Sequence, residues 1–119
     1  MDYEKIMENL DVDSVISLMQ KLGADRYVDK GTHIIFPTIC HNVDSAEASM
    51  KLYFYKNNKF FYCYTACGGM SIFKFLKHYY EERGIEYDWY TDIYMAVRDC
   101  SSFAGVDGFV VERYKSLKD

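Results

Sequence analysis

The chain predicts an α+β fold: a small antiparallel sheet organised around a metal ion and flanked by N- and C-terminal helices. Three observations predict it. Three of the four cysteines and one of the three histidines fall into two close pairs, Cys40/His41 and Cys63/Cys67. The segment between the pairs is long enough for two strands and a turn, and it alternates in hydropathy. Stretches with helical spacing, each bracketed by a capping residue and a glycine, lie on both sides of it.

At 119 residues this is one domain, 1–119, with a core over about 12–105 and helical or extended flanks at 1–11 and 106–119. Half the residues are hydrophobic, and twelve Tyr and eight Phe against one Trp suit a small sheet lined with rings. One proline and seven glycines exclude a low-complexity chain. No apolar run reaches membrane-spanning length, and the start, Met-Asp-Tyr-Glu-Lys, lacks the layout of a signal peptide. The expectation is a cytoplasmic protein with no membrane partner, in a compartment where paired thiols serve as metal ligands more readily than as disulfides. The net charge of −4 is uneven. Residues 41–80 carry five lysines and two acids, while both flanking segments are acidic. That distribution permits weak phosphate contact and excludes the strong basic footprint of a stand-alone DNA binder.

In chain order, residues 2–10 fit a short helix. Asp13 reads as the N-cap of a helix over Ser14–Leu22, with Ile16, Met19 and Leu22 at helical spacing and Gly23 just past its end. Ala24–Gly31 is charged and turn-like. Thr32–Phe36 reads as a strand that Pro37 ends, leading into a turn with Cys40 and His41. After a loop over Asn42–Ala48, Ser49–Tyr55 alternates, with Met50, Leu52 and Phe54 on one face and Lys51, Tyr53 and Tyr55 on the other. Lys56-Asn57-Asn58-Lys59 is the turn, since Asn tolerates positive φ. Phe60–Tyr64 returns as the partner strand, and the turn Tyr64–Gly69 carries Cys67. Ser71 caps a helix to about Arg83, before Gly84, with Ile72, Phe73, Leu76 and Tyr79 or Tyr80 as its apolar stripe. Thr91 caps a further helix with Ile93, Met95, Ala96 and Val97. A short terminal helix or a tail occupies about 109–117.

Cys40, His41, Cys63 and Cys67 are the candidate ligands of one structural Zn²⁺. Zinc takes thiolate and neutral imidazole in a tetrahedron, and four protein ligands leave no position open for catalysis. The metal also substitutes for core in a small sheet. Neighbouring side chains in an extended segment point apart, so Cys40 and His41 reach one ion only from a sharp turn; His33 is the reserve ligand. The bland alternative is a group of buried free thiols, the reading we give Cys100. His78 reads as a surface residue. Thiol redox chemistry is disfavoured because Cys63-x₃-Cys67 lacks a strand-to-helix setting. No His-x-Glu or His-Glu-x₂-His arrangement supplies a catalytic zinc.

Alternate rings on two strands are most often core on one face and packing on the other. Here, however, Lys51, Tyr53 and Tyr55 share a face, Lys56 and Lys59 sit at the hairpin tip, and Lys74 lies on the following helix. Rings interleaved with ammonium groups suit single-stranded DNA, where bases stack and phosphates meet lysine.

Several stretches, Cys40-His41-Asn42, Ser49-Met50, Phe61-Tyr62-Cys63-Tyr64, Cys67-Gly68-Gly69 and Ile72-Phe73-Lys74-Phe75-Leu76, occur in that order. In this the chain resembles the zinc-binding domain of bacterial and phage DNA primases, the CHC2-type zinc ribbon. The resemblance spans roughly residues 12–105, with its specificity in 38–76. The family's Cys-x₂-His becomes Cys-His here, unless His41 matches the family histidine and Thr38 stands at the cysteine position. The second pair has three intervening residues where the family has two, and the Thr-Pro that often precedes the Ser-strand is absent. These departures look like a divergent, phage-encoded form. The resemblance implies a zinc-ribbon module that engages single-stranded template DNA and helps select initiation sites. Primer synthesis would fall to a separate primase catalytic domain, with that domain or a replicative helicase as partner. Nothing in this chain looks like the catalytic domain. The alternative is a zinc-ribbon adaptor for protein partners in a replication or transcription complex, with the acidic flanks as docking surface.

Overall fold

A computed structural model describes residues 3–102. Among them, α1 (Tyr3–Glu8) and α2 (Val12–Lys21) precede five strands: β1 (Val28–Asp29), β2 (His33–Phe36), β3 (Leu52–Tyr55), β4 (Phe60–Cys63) and β5 (Gly68–Met70). Helix α3 (Ile72–Glu82) follows, then a π-helical turn, Trp89–Tyr94, that runs directly into α4 (Met95–Asp99). The expected segment at 109–117 lies outside the described residues.

The strands form one antiparallel meander in the order β1-β2-β3-β4-β5. The sheet and its flanking helices agree with the α+β class read from the sequence, but the sheet is wider than expected. Strand β1 forms in the charged Ala24–Gly31 stretch. Strand β5 forms where Gly68-Gly69 reads as a turn, with Cys63 opposite Gly68 and Tyr62 opposite Gly69. Gly69 lies beside the Tyr62 ring, where a Cβ would meet Tyr62 Cδ2 at an ordinary contact distance of 3.6 Å.

Alternation separates the two faces. Ile34, Phe36, Leu52, Phe54, Phe61, Cys63 and Met70 point inward and are buried with Val15 and Met19 of α2 and Ile72, Phe75 and Leu76 of α3. Phe61 stacks on Phe75 with ring centroids 4.9 Å apart, so α3 lies on this face. His33, Tyr53, Tyr55, Phe60 and Tyr62 take the other face and are half-buried or exposed.

Helix ends refine the expected boundaries. Asp11, not Asp13, caps α2: its carboxylate accepts from the Ser14 N–H (3.0 Å) and the Ser14 hydroxyl (2.8 Å). Gly23 follows with φ 109°, and the Ala24 N–H reaches Met19 C=O at 2.9 Å, the left-handed stop that glycine makes cheap. Ser71 caps α3 as expected, accepting from the Lys74 N–H. Asp88 replaces Thr91 as the cap of the last helical stretch, because both the N–H and the hydroxyl of Thr91 donate to the Asp88 carboxylate. In the hairpin turn the positive φ, 62°, falls on Lys59 and not on an asparagine; Asn58 instead accepts from the Phe60 N–H with its side chain. The chain closes on itself, since Leu10 and Ser101 form an antiparallel bridge.

Replacing Asp11 with Ala leaves the Ser14 N–H without its partner, at a cost of about 1 kcal/mol. The expected result is a thermal midpoint lower by roughly 4–8 °C, with metal content unchanged, measured by calorimetry and elemental analysis. Asp13→Ala should change the midpoint far less.

Candidate metal centre

Two turns meet at the β4–β5 edge of the sheet. In the first, the Asn42 N–H (3.0 Å) and His41 N–H (3.3 Å) both bond back to Thr38 C=O, winding residues 38–42 into one tight turn. Thr38 is fully buried, its hydroxyl donating to Asn42 Oδ1 at 2.8 Å, and its N–H bonds to Ser49 C=O. This is the sharp turn that the adjacent pair requires, and it carries both Cys40 and His41 to one point. The second turn joins β4 to β5 and brings Cys67 back over Cys63.

The four donor atoms of Cys40, His41, Cys63 and Cys67 all lie within 4.8 Å of one another. His41 Nδ1 is 3.4 Å from Cys40 Sγ, 3.7 Å from Cys63 Sγ and 3.5 Å from Cys67 Sγ. The Cys40 and Cys67 sulfurs are 3.6 Å apart. A tetrahedral ion with sulfur at ~2.3 Å and nitrogen at ~2.0–2.1 Å has ligand–ligand edges of roughly 3.5–3.8 Å. The cluster has that size, and its donors are close enough to bind a metal ion. Among the described residues no other such cluster of His, Cys, Asp and Glu occurs. His33 is not part of it: that ring is stacked on Tyr53 at 5.1 Å, on the open face. Cys100 is a buried thiol near Ser14 C=O, pushed up to about 11 by burial and the charge of Asp99.

The thiols are not equivalent. Burial works to raise Cys63, but the Cys67 N–H, the Thr65 hydroxyl and the Ala66 and Thr65 N–H groups outweigh it and bring the thiol down to about 6. Burial, followed by the neighbouring Cys63 and Cys67, drives Cys40 far above the ordinary thiol range. Burial also raises Cys67. Three thiolates together would crowd a space that only a cation makes tolerable. In the metal-free protein, Cys63 is ionised at lower pH in the folded than in the unfolded state. Its contribution to stability is therefore full above the ordinary value of 9.0 and is lost as pH falls through about 6. Alkylation of the metal-free protein across pH, read by peptide mass spectrometry, should show Cys63 reaching half-maximal rate near pH 6, with Cys40 unreactive throughout.

Around the ligands stand residues that the sequence did not single out. Thr65 Oγ1 lies 3.4 Å from both His41 Nε2 and Cys63 Sγ, placed to orient the imidazole so that Nδ1 faces the sulfurs. From α3, Arg83 donates to Ile39 C=O (2.9 Å), Asn42 C=O (3.1 Å) and Tyr79 C=O (3.2 Å). His78, a half-buried residue on the surface of α3, has its Nδ1 3.4 Å from Cys40 C=O, beside the ligand turn. No local signal marks Arg83, which lies 44 residues from Ile39.

The candidate DNA-contacting residues divide. Tyr53 and Tyr55 lie on the open face, in a continuous ring cluster with His33, Tyr62 and Tyr64: Tyr53 is 4.8 Å from Tyr64, and Tyr62 is 4.5 Å from Tyr64. The Tyr55 and Tyr64 hydroxyls are hydrogen-bonded to each other. Lys51 is exposed beside this cluster and Lys59 sits at the hairpin tip. Lys56 is committed to Asp29, at 2.9 and 3.1 Å. Lys74 is on α3, against the opposite face of the sheet, and stands apart from the tyrosines. His33, Tyr62 and Tyr64 join this face without having been singled out for it; the period-two pattern of β2 and β4 could have placed His33 and Tyr62 there.

No helix among the described residues is long and apolar enough to cross a membrane. No family model matches the chain, and no solved structure matches it. It is similar to the SPbeta prophage-derived uncharacterized protein YorJ of Bacillus subtilis (strain 168), with 30% identity over 86 residues. The match covers 71% of this chain and 22% of the relative, so the chain spans less than a quarter of that protein's length.

Proposed function

We propose that this chain is the zinc-binding module of a DNA primase, contacting single-stranded template DNA at primer initiation. Cys40, His41, Cys63 and Cys67 hold one structural Zn²⁺, the metal that suits three sulfurs and an imidazole in a tetrahedron. The observation that carries the reading is a juxtaposition. Strand β4 delivers Cys63 to the cluster at its end, while the same strand and β3 present Tyr62 and Tyr53 on a ring-lined face open to a ligand. Bases stack on such rings with little regard to sequence, and Lys51 and Lys59 lie within the same region to meet phosphates. With all four tetrahedral positions filled by protein, the metal orders the edge and does not activate water. Primer synthesis falls to a primase catalytic domain, with that domain or a replicative helicase as partner. The prophage relative, several times longer than this chain, fits a module that works beside other domains.

The second reading, an adaptor for protein partners, draws on the pairing of Lys56 with Asp29, which removes one of the hairpin's cations. The two separate by fluorescence anisotropy of a labelled single-stranded oligonucleotide titrated with zinc-loaded protein. Binding at low salt that weakens as salt rises supports the primase reading. Absence of binding at low salt rejects it in favour of the adaptor.

A further inference from the structure

We propose that Arg83 is the positioning residue of the metal centre, holding the Cys40–His41 turn in ligating geometry from α3. The inference rests on the four-ligand reading of the cluster.

A turn tight enough to aim two adjacent side chains at one ion leaves its outer carbonyls without partners inside the turn. Ile39 C=O and Asn42 C=O are those groups, and they bracket Cys40 and His41. Ile39 is fully buried, so water does not readily serve its carbonyl. The Arg83 guanidinium bonds both carbonyls at once, with Nη1 on Ile39 and Nη2 on Asn42. The guanidinium is itself fixed twice. Nη1 also donates to Tyr79 C=O one turn back along α3, and Cζ lies 3.7 Å above the Tyr79 ring. That ring is anchored in turn by its hydroxyl, which donates to Leu22 C=O at 2.8 Å. A planar fork holds two carbonyls in fixed geometry while stacking flat on a ring; a compact ammonium on a flexible stem cannot keep both contacts in that geometry. The bonds to Thr38 wind the turn from inside; without the fork its two outer carbonyls lose their partners, and any loosening toward extended backbone would point Cys40 and His41 apart. Tyr79 further links the centre to the last residue of the α2 cap, so the ligand turn, α3 and the end of α2 share one hydrogen-bonded path.

The test compares wild type, Arg83→Lys and Arg83→Gln, each loaded with Co²⁺ for its ligand-field spectrum and with Zn²⁺ in competition against a chromophoric chelator. Thermal midpoints are taken with and without metal. The expected result for both variants is Zn²⁺ affinity weaker by about 10–100-fold, the usual effect of losing an outer-shell partner. The tetrahedral Co²⁺ absorption should weaken or shift, and the metal-free midpoint should move less than the metal-loaded one. Unchanged affinity and spectrum, or equal losses of midpoint in the two states, would overturn the proposal and leave Arg83 a packing residue. A wild type that takes up neither ion would instead remove the four-ligand reading itself, an outcome distinct from failure of the Arg83 role.

Discussion

Protein carrying Cys63→Ser is expected to be purified without stoichiometric metal and to melt at the temperature of chelator-treated wild type. Cys63 is the ligand most prepared to act, since its sulfur already accepts hydrogen bonds from the 65–67 turn. A serine hydroxyl can take up some of those bonds but is a poor zinc ligand. For wild type at free metal 1,000-fold above its dissociation constant, bound metal adds about 4 kcal/mol. At roughly 4–8 °C per kcal/mol, the midpoint should fall by on the order of 15–30 °C on chelation, and the Cys63→Ser protein should be insensitive to chelator. The sequence reads the metal as a substitute for core, which would make loss of metal in Cys63→Ser a loss of cooperative folding too. The structure changes that expectation. Phe36, Phe54, Phe61 and Phe75 are buried between sheet and α3 in the one cluster that also holds Cys40 and Cys63; their ring contacts do not pass through the metal, so the metal-free protein should still unfold cooperatively, at a lower temperature. Elemental analysis beside calorimetry decides the matter; a variant that retained one zinc per chain would show that the cluster is not the site.

Tyr53→Ala is expected to weaken binding of a short single-stranded oligonucleotide by about 1–3 kcal/mol, the range for removing one stacking ring. Tyr53 is the ring to choose because it sits at the centre of the open face, touching His33, Tyr55 and Tyr64 at once. Tyr53→Phe should bind as wild type does, since stacking needs the ring and not the hydroxyl. The salt dependence should be shallow. With Lys51 and Lys59 as the phosphate contacts, the slope of log affinity against log salt is about −1.4, from roughly 0.7 per contact on single strands. Lys74→Ala, on the opposite side of the sheet, should leave both affinity and slope unchanged. Equal affinity for wild type and Tyr53→Ala would move the DNA contact off this face.

The parts of the molecule legible in advance were those whose information is local. Cys40, His41, Cys63 and Cys67 could be grouped because thiols and imidazoles are scarce and their pairing is visible in a line of text. Ser71 and Gly84 marked α3, and the alternation from Leu52 to Tyr55 gave both faces of β3. What escaped depends on distant partners. Asp11 and Asp13 are equally good caps by type, and only the docking of α2 selects between them. Gly68-Gly69 becomes a strand because Cys63 and Tyr62 lie ready to pair with it. Val28–Asp29 joins the sheet because Ile34 and Ile35 offer it an edge. Arg83 is an ordinary charged residue at the end of a helix until the fold brings Ile39 and Asn42 to it.

The bridge between Leu10 and Ser101 ties the two helical flanks of the sheet to one another. The Ser102 N–H bonds to Asn9 C=O at 2.9 Å, and the Asp11 N–H to Cys100 C=O at 2.7 Å. Paired amides thus clasp the α1–α2 junction to the residues just after α4. Lifting α4 away would therefore break bonds at the start of α2 as well, so the two flanks should loosen together in hydrogen exchange.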